Sequence, residues 1–156
     1  MYQANITNKF VEVKTLDDIQ RFWPFFLEGL GDLNDPHKGR GDLTPESLFK
    51  QILHAISADG LVLVLTSKND KPLAFVIARE DTEPLCVKSL LVYAAYSSGK
   101  CATAQQEGQA YMENWARDRR FVEIHAFSRR INGSAIRWFT KKCGFKQVCI
   151  GFKKLL

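Results

Sequence analysis

Two short apolar, β-branched runs, Leu61 to Thr66 and Leu73 to Ala78, flank the turn-forming segment Lys68-Asn-Asp-Lys71. A link this short permits only an antiparallel hairpin. A third extended run, Leu85 to Tyr93, follows, and Ser97-Ser98-Gly99-Lys100 breaks it. Cys101, Ala104, Gly108, Tyr111, Met112 and Trp115 then recur at helical spacing before a further strand at Phe121 to Phe127. That helical crossover favours parallel pairing of the strands it joins. The chain must therefore build a mixed sheet with helices packed on it.

The flanking segments complete the order. Asn8 to Lys14 alternates around Phe10, Val11 and Val13 as a first strand. Thr15 and Asp18 form a variant capping box ahead of Leu16, Ile19, Phe22, Trp23, Phe26, Leu27 and Leu30 at helical spacing. Pro24 interrupts that pattern and predicts a kink or two short helices. Gly29 to Asp42 reads as a loop. Thr44-Pro45-Glu46 starts a second helix with a capping hydroxyl, a proline at the first position and an acid at the positive pole. Its buried face is Leu48, Phe49, Ile52, Leu53 and Ile56, and Asp59-Gly60 closes it. Near the end, Gly133 to Lys142 reads as a helix and Phe145 to Phe152 as a closing strand.

At 156 residues the chain is expected to form one domain, 1–156, with no need of a metal or disulfide to fold. No run approaches the roughly 18–20 apolar residues that cross a bilayer, and Met1 to Phe10 lacks the apolar core of a secretory signal. Cys86, Cys101, Cys143 and Cys149 show no C-x-x-C spacing, so free thiols in the cytoplasm are expected. The net charge of +5 is concentrated from Arg117 onward, where Asp118 and Glu123 are the only acids. Such a half suits an anionic partner, coenzyme A or nucleic acid, or is a solvated basic face.

The stretch Ile124 to Phe145 combines a strand, a loop ending in Asn132, a helix with Ala135 and the pair Trp138-Phe139, and the turn Gly144-Phe145. It resembles the C-terminal half of the GNAT acetyltransferase superfamily, on whose pattern Ile124, Ala126, Ser128, Asn132, Ala135, Trp138 and Phe139 fall without a gap. The resemblance implies an α+β fold, a GNAT-like mixed β-sheet flanked by helices on both faces in a single three-layer domain. It also implies acetyl-CoA as cosubstrate, no metal, and acetyl transfer to a primary amine by direct attack.

The resemblance assigns the coenzyme site to specific residues. Backbone of Ser89 to Val92, Leu91 and Val92 included, and of Ile124 to Phe127 would splay apart around the thioester arm. Amides of Gly99 to Ala104 would receive the pyrophosphate, within the segment Ser97, Ser98, Gly99, Lys100, Cys101 and Ala102. The segment lacks the family's Gln or Arg and would look much the same as a plain helix cap. Asn132 matches the asparagine near the pantetheine arm, and capping the following helix is its other role. Phe139 takes the coenzyme-side position where many members carry a tyrosine that protonates the thiolate, and counting back from Gly144 brings Thr140 there instead.

For the proton acceptor, the positions where the family often places a glutamate hold Lys88 and Ser89. Glu80, Asp81 and Glu83 are nearby, and Glu123 and His125 lie on a strand expected to be central. Alternation puts His125 on the face of Phe121 and Phe127, as base or as bonded core residue; His54 and His37 rank below it. The acceptor, a small molecule or a protein amine, stays open. Acids at Glu28, Asp32, Asp35, Asp42 and Glu46 are placed to receive a cation or to solubilise loops.

The alternative is a GNAT-fold protein without turnover that serves binding or structure, similar to degenerate members of bacteriophage virions. Nucleic acid is disfavoured, because core alternation explains the spacing of Phe121, Phe127, Trp138, Phe145 and Phe152. No membrane partner is expected, and a homodimer stays open.

Overall fold

The computed structural model describes residues 8–34, 43–81, 87–98, 102–126 and 138–146. The elements are β1 (Lys9–Glu12), α1 (Leu16–Leu33), α2 (Pro45–Ser57), β2 (Leu61–Thr66), β3 (Pro72–Glu80), β4 (Ser89–Ser97), α3 (Ala102–Asp118), β5 (Glu123–Ala126) and a π-helical turn, Trp138–Lys142. The five strands lie in the order β1-β2-β3-β4-β5. Pairs β1–β2, β2–β3 and β3–β4 are antiparallel, and β4–β5 is parallel, as the helical crossover requires.

Three layers result. On one face Ile19, Phe22, Phe26 and Leu30 of α1 and Leu48, Ile52 and Ala55 of α2 pack on Val62, Val64, Phe75, Ile77 and Ala94. On the other, Ala104, Met112, Trp115 and Ala116 of α3 pack on Leu61, Leu63, Leu65, Val76, Ala78 and Leu90. β2 is buried on both faces, which is why it reads as a continuous apolar run.

Both predicted caps form. The amide of Asp18 donates to Thr15 Oγ1 at 3.2 Å, and the Thr15 amide donates to Asp18 Oδ2 at 3.1 Å. Thr44 and Ser47 repeat the exchange at 3.1 and 2.9 Å. Pro24 neither ends nor splits α1, which overturns the two short helices that were one of its two sequence expectations. Its ring sits on the exposed side, whereas Phe22, Phe25 and Phe26 are buried around it. Burial at about 1.5–3 kcal/mol per large apolar side chain outweighs a proline penalty of about 3 kcal/mol. The helix also continues to Leu33, through Gly29, where a loop was expected to begin. Asn34 then caps it, with Nδ2 donating to Leu43 O at 2.6 Å and Oδ1 accepting from the Leu43 amide at 3.0 Å.

β4 runs beyond the expected end at Tyr93 and begins later than Leu85. Its pairing with β3 slips: Ala78 faces Val92 and Ile77 faces Ala94, leaving Tyr93 as an extra residue. This β-bulge exchanges the faces. Leu90 and Val92 pack toward α3, whereas Tyr93, Ala94 and Tyr96 pack toward α1 and α2. Only the end of the Gly133–Lys142 helix is described, as the π-helical turn. Phe145 and Lys146 are not in a strand, and the rest of the expected closing strand lies outside the described residues.

Candidate functional site

The register sets three residues side by side, Arg79 on β3, Leu91 on β4 and His125 on β5. Their chain neighbours Ala78, Leu90, Val92 and Ile124 pack toward α3. By alternation the row itself faces the α1 and α2 side. This corrects the face expected for His125. Phe121 precedes the strand and stacks on Trp115 at 5.9 Å, with Ile124, on the α3 side. Phe127 lies outside the described residues. β5 is the last strand of the sheet among the described residues, and most of the closing strand expected after it lies outside them.

Both ring nitrogens of His125 meet a carboxylate. Nδ1 lies 3.1 Å from Asp81 Oδ2, and Nε2 lies 2.9 Å from Glu123 Oε2. The Asp81 side chain is 12% exposed, that of His125 32% and that of Glu123 50%. The Glu123 hydrogen bond raises the His125 pKa above 6.5; partial burial opposes it, and the Asp81 hydrogen bond adds to the rise. Two carboxylates around one ring fit the imidazolium, which donates through both nitrogens. The sheltered Asp81 holds the Nδ1 side. Glu123 leaves the Nε2 side open to solvent, so Nε2 is the nitrogen placed for proton exchange.

Asp81, not Glu80, is therefore the acid that reaches the histidine. Glu80 pairs with Leu90 and points to the opposite face, exposed. One step along the strand decides which carboxylate reaches the site. Asp81 is anchored by its amide to Ser89 O at 2.8 Å. His54 is not part of this pair: its Nδ1 accepts from Arg79 Nη1 at 2.7 Å. Glu83 and His37 lie outside the described residues. Among the described residues no group of His, Cys, Asp and Glu converges on a point that holds a metal ion.

On the coenzyme side, Leu91 and Val92 pair with His125 and Ala126 in one parallel ladder. The strands expected to splay at Ser89 to Val92 are thus joined there, and any parting begins beyond Val92, at the Tyr93 bulge. Ser98 is committed internally: its amide and its hydroxyl both donate to Leu73 O, at 2.9 and 3.1 Å. Ser97 Oγ accepts from Gln105 Nε2 at 2.7 Å, tying the end of β4 to the first turn of α3. Ala102 opens α3, whose first turn holds no acid. A helix start without a neutralising carboxylate fits the phosphates of a coenzyme. Gly99, Lys100, Cys101 and Asn132 lie outside the described residues. Phe139 is described by its backbone alone, in the π-helical turn. Thr140 is half-buried in the same turn, which Gln109 Nε2 fastens to α3 through Cys143 O at 2.8 Å.

Sequence reading gave no role to Tyr96. Its hydroxyl donates to Glu28 Oε1 of α1 at 2.8 Å. Burial, the Glu28 bond and the charges of Glu28 and Asp32 push its pKa up to about 12. The face change at the bulge hid it, because an unbroken alternation puts Tyr96 on the α3 side.

No protein-family model matches the sequence, and no curated protein matches it. Solved structures do. A protein named as a probable acetyltransferase superposes with a TM-score of 0.70 at 16% identity, over 95% of this chain and 96% of its own. The aminoglycoside 6'-N-acetyltransferase AAC(6')-Ih of Acinetobacter baumannii gives 0.66 at 14%, over 96% and 99%. The aminoglycoside N-acetyltransferase AAC(6')-Iy in complex with CoA gives 0.67 at 10%, over 94% of each chain. Among the described residues no helix is long and apolar enough to cross a membrane. The mixed sheet with its one parallel pair, the helices on both faces and these near full-length superpositions give the chain a GNAT-like α+β fold.

Proposed function

We propose that the protein is an acetyl-CoA-dependent N-acetyltransferase acting on a primary amine by direct attack, with His125 as the proton acceptor. The observation that carries the reading is the Asp81–His125–Glu123 cluster beside the parallel β4–β5 pair. The coenzyme supplies the activated acetyl thioester. The α3 start suits its phosphates, and the backbone from Tyr93 onward is the region for its arm.

The acceptor arrives as an ammonium and must lose a proton to become a nucleophile. Asp81 and Glu123 attract it. Its positive charge competes with the imidazolium for the same two carboxylates and favours release of the His125 Nε2 proton to solvent. The neutral ring then takes the ammonium proton at Nε2, while Nδ1–H stays on Asp81. The raised pKa makes this base stronger than a free imidazole. Phe139 brings no hydroxyl, and the hydroxyl of Thr140 is a weak acid, so neither residue is a strong proton donor to the leaving group.

A catalytically inactive binding or structural protein with a degraded coenzyme site is the second reading. The internally bonded Ser98 amide favours it, because that group is withdrawn from phosphate binding. Millimolar acetyl-CoA is expected to raise the melting temperature, since a ligand of the folded state stabilises it. Primary amines are expected to release free thiol. Absence of any thermal shift refutes the first reading, and a shift without thiol release on a broad amine panel leaves the second.

A further inference from the structure

We propose that Arg79 reads an anionic group on the acceptor, so that the substrate class is an amine bearing a carboxylate or phosphate. This rests on the acetyltransferase reading above. Arg79 lies in the same row and on the same face as His125, with only Leu91 between them. Two strand spacings separate their backbones, about 10 Å. The guanidinium is held from two sides, with Nη1 on His54 Nδ1 at 2.7 Å and the Tyr93 ring centroid 5.9 Å from Cζ. The guanidinium donates that bond, and the His54 ring nitrogen accepts it.

Among the described residues no carboxylate lies within ion-pair distance of Arg79. Asp81 and Glu123 are both engaged with His125. A half-buried guanidinium has five N–H donors, and the imidazole uses one. The fork is thus fixed in advance, and among the described residues none supplies the oxyanion that its planar geometry matches in two-point contact. The site is also polar along the row. Two carboxylates gather at the His125 end and one cation at the Arg79 end. An acceptor with opposite charges at its two ends aligns with that field, and a purely cationic amine is repelled from the Arg79 end.

The test uses amines that differ only in the anion: ethanolamine against O-phosphoethanolamine, and butylamine against 4-aminobutyrate. Binding is followed by calorimetry with coenzyme A present, and kcat/KM by thiol release. Wild type is expected to prefer the anionic member of one pair by about 10–100-fold, the range of a charge-assisted hydrogen bond. The favoured pair tells phosphate from carboxylate. R79Q is expected to bring that ratio toward one, and R79K to keep part of it. A role confined to anchoring α2 predicts no change in the ratio. A wild-type ratio within twofold for both pairs, or a preference that survives in R79Q, overturns the proposal. Loss of acetyl-CoA binding refutes the acetyltransferase reading separately, because the calorimetric ratio needs no turnover.

Discussion

Two glycines of α1 stand two residues apart and should respond to alanine with opposite signs. A Cβ at Gly29 overlaps Phe75 Cε1 and meets Phe75 Cζ at 2.6 Å and Tyr96 Cγ at 3.0 Å. The Phe75 ring has little room to retreat. It is 2% exposed, with Phe25, Phe26 and Tyr96 at centroid distances of 5.8, 5.0 and 5.7 Å. Overpacking of that kind costs about 1–3 kcal/mol, against a helix-propensity gain of up to about 1 kcal/mol for replacing glycine. Gly29→Ala is therefore expected to lose about 1–2 kcal/mol. Gly31 meets nothing within 4 Å and lies in the last helical turn. Gly31→Ala is expected to gain about 0.5 kcal/mol. Urea denaturation read by circular dichroism measures both, and in melting temperature the difference amounts to several degrees. A Gly29→Ala protein as stable as wild type would show that α1 does not press on the β3 and β4 rings as described. Glu28 reaches the Tyr96 hydroxyl from the same turn, so loosening this packing should weaken that bond too.

Other outcomes follow from named contacts. His125→Gln is expected to lower kcat by about 10²–10⁴-fold, the usual worth of a positioned base. In wild type the acid limb of the rate profile should lie above pH 6.5, and Asp81→Asn should move it down by removing one of the carboxylates that raise the His125 pKa. The same shift links to stability. A folded-state pKa raised above the unfolded value gives stabilisation present in full below about 6.5 and lost as pH rises through the folded value. The stability difference between wild type and His125→Gln should thus be larger at about pH 6 than at about pH 9; a pH-independent difference refutes the pairing. Thr15→Ala removes the capping box of α1 and is expected to cost about 1 kcal/mol by thermal melting.

What the sequence disclosed is what depends on neighbours in the chain. The caps at Thr15 and Thr44, the hairpin at Lys68 to Lys71 and the crossover into β5 each follow from a few adjacent residues, and all are present. The resemblance around Asn132 also led to the right fold, although much of that stretch lies outside the described residues. Pro24 misled because a local rule met tertiary burial on both sides of it. Glu80, Asp81 and Glu83 stood as equal candidates for the proton acceptor, and that Asp81 rather than Glu80 meets His125 depends on the parity of β3 against β4 and β5, 44 residues further along. Arg79 and Tyr96 escaped notice for the same reason. Neither carries a local signal, and each acquires its surroundings only through register.

The additional residue at Tyr93 acts as a switch of parity built into the strand. Upstream of it, odd-numbered side chains look toward the first two helices; downstream, even-numbered ones do. A chain that lost this single position would close into an unbroken ladder, with Val92 still opposite Ala78, Ala94 still opposite Ile77 and Tyr96 still within reach of Glu28. Its loss would remove the ring that stands beside Arg79, so the insertion adds a side chain to that row without displacing any pair on either side of it.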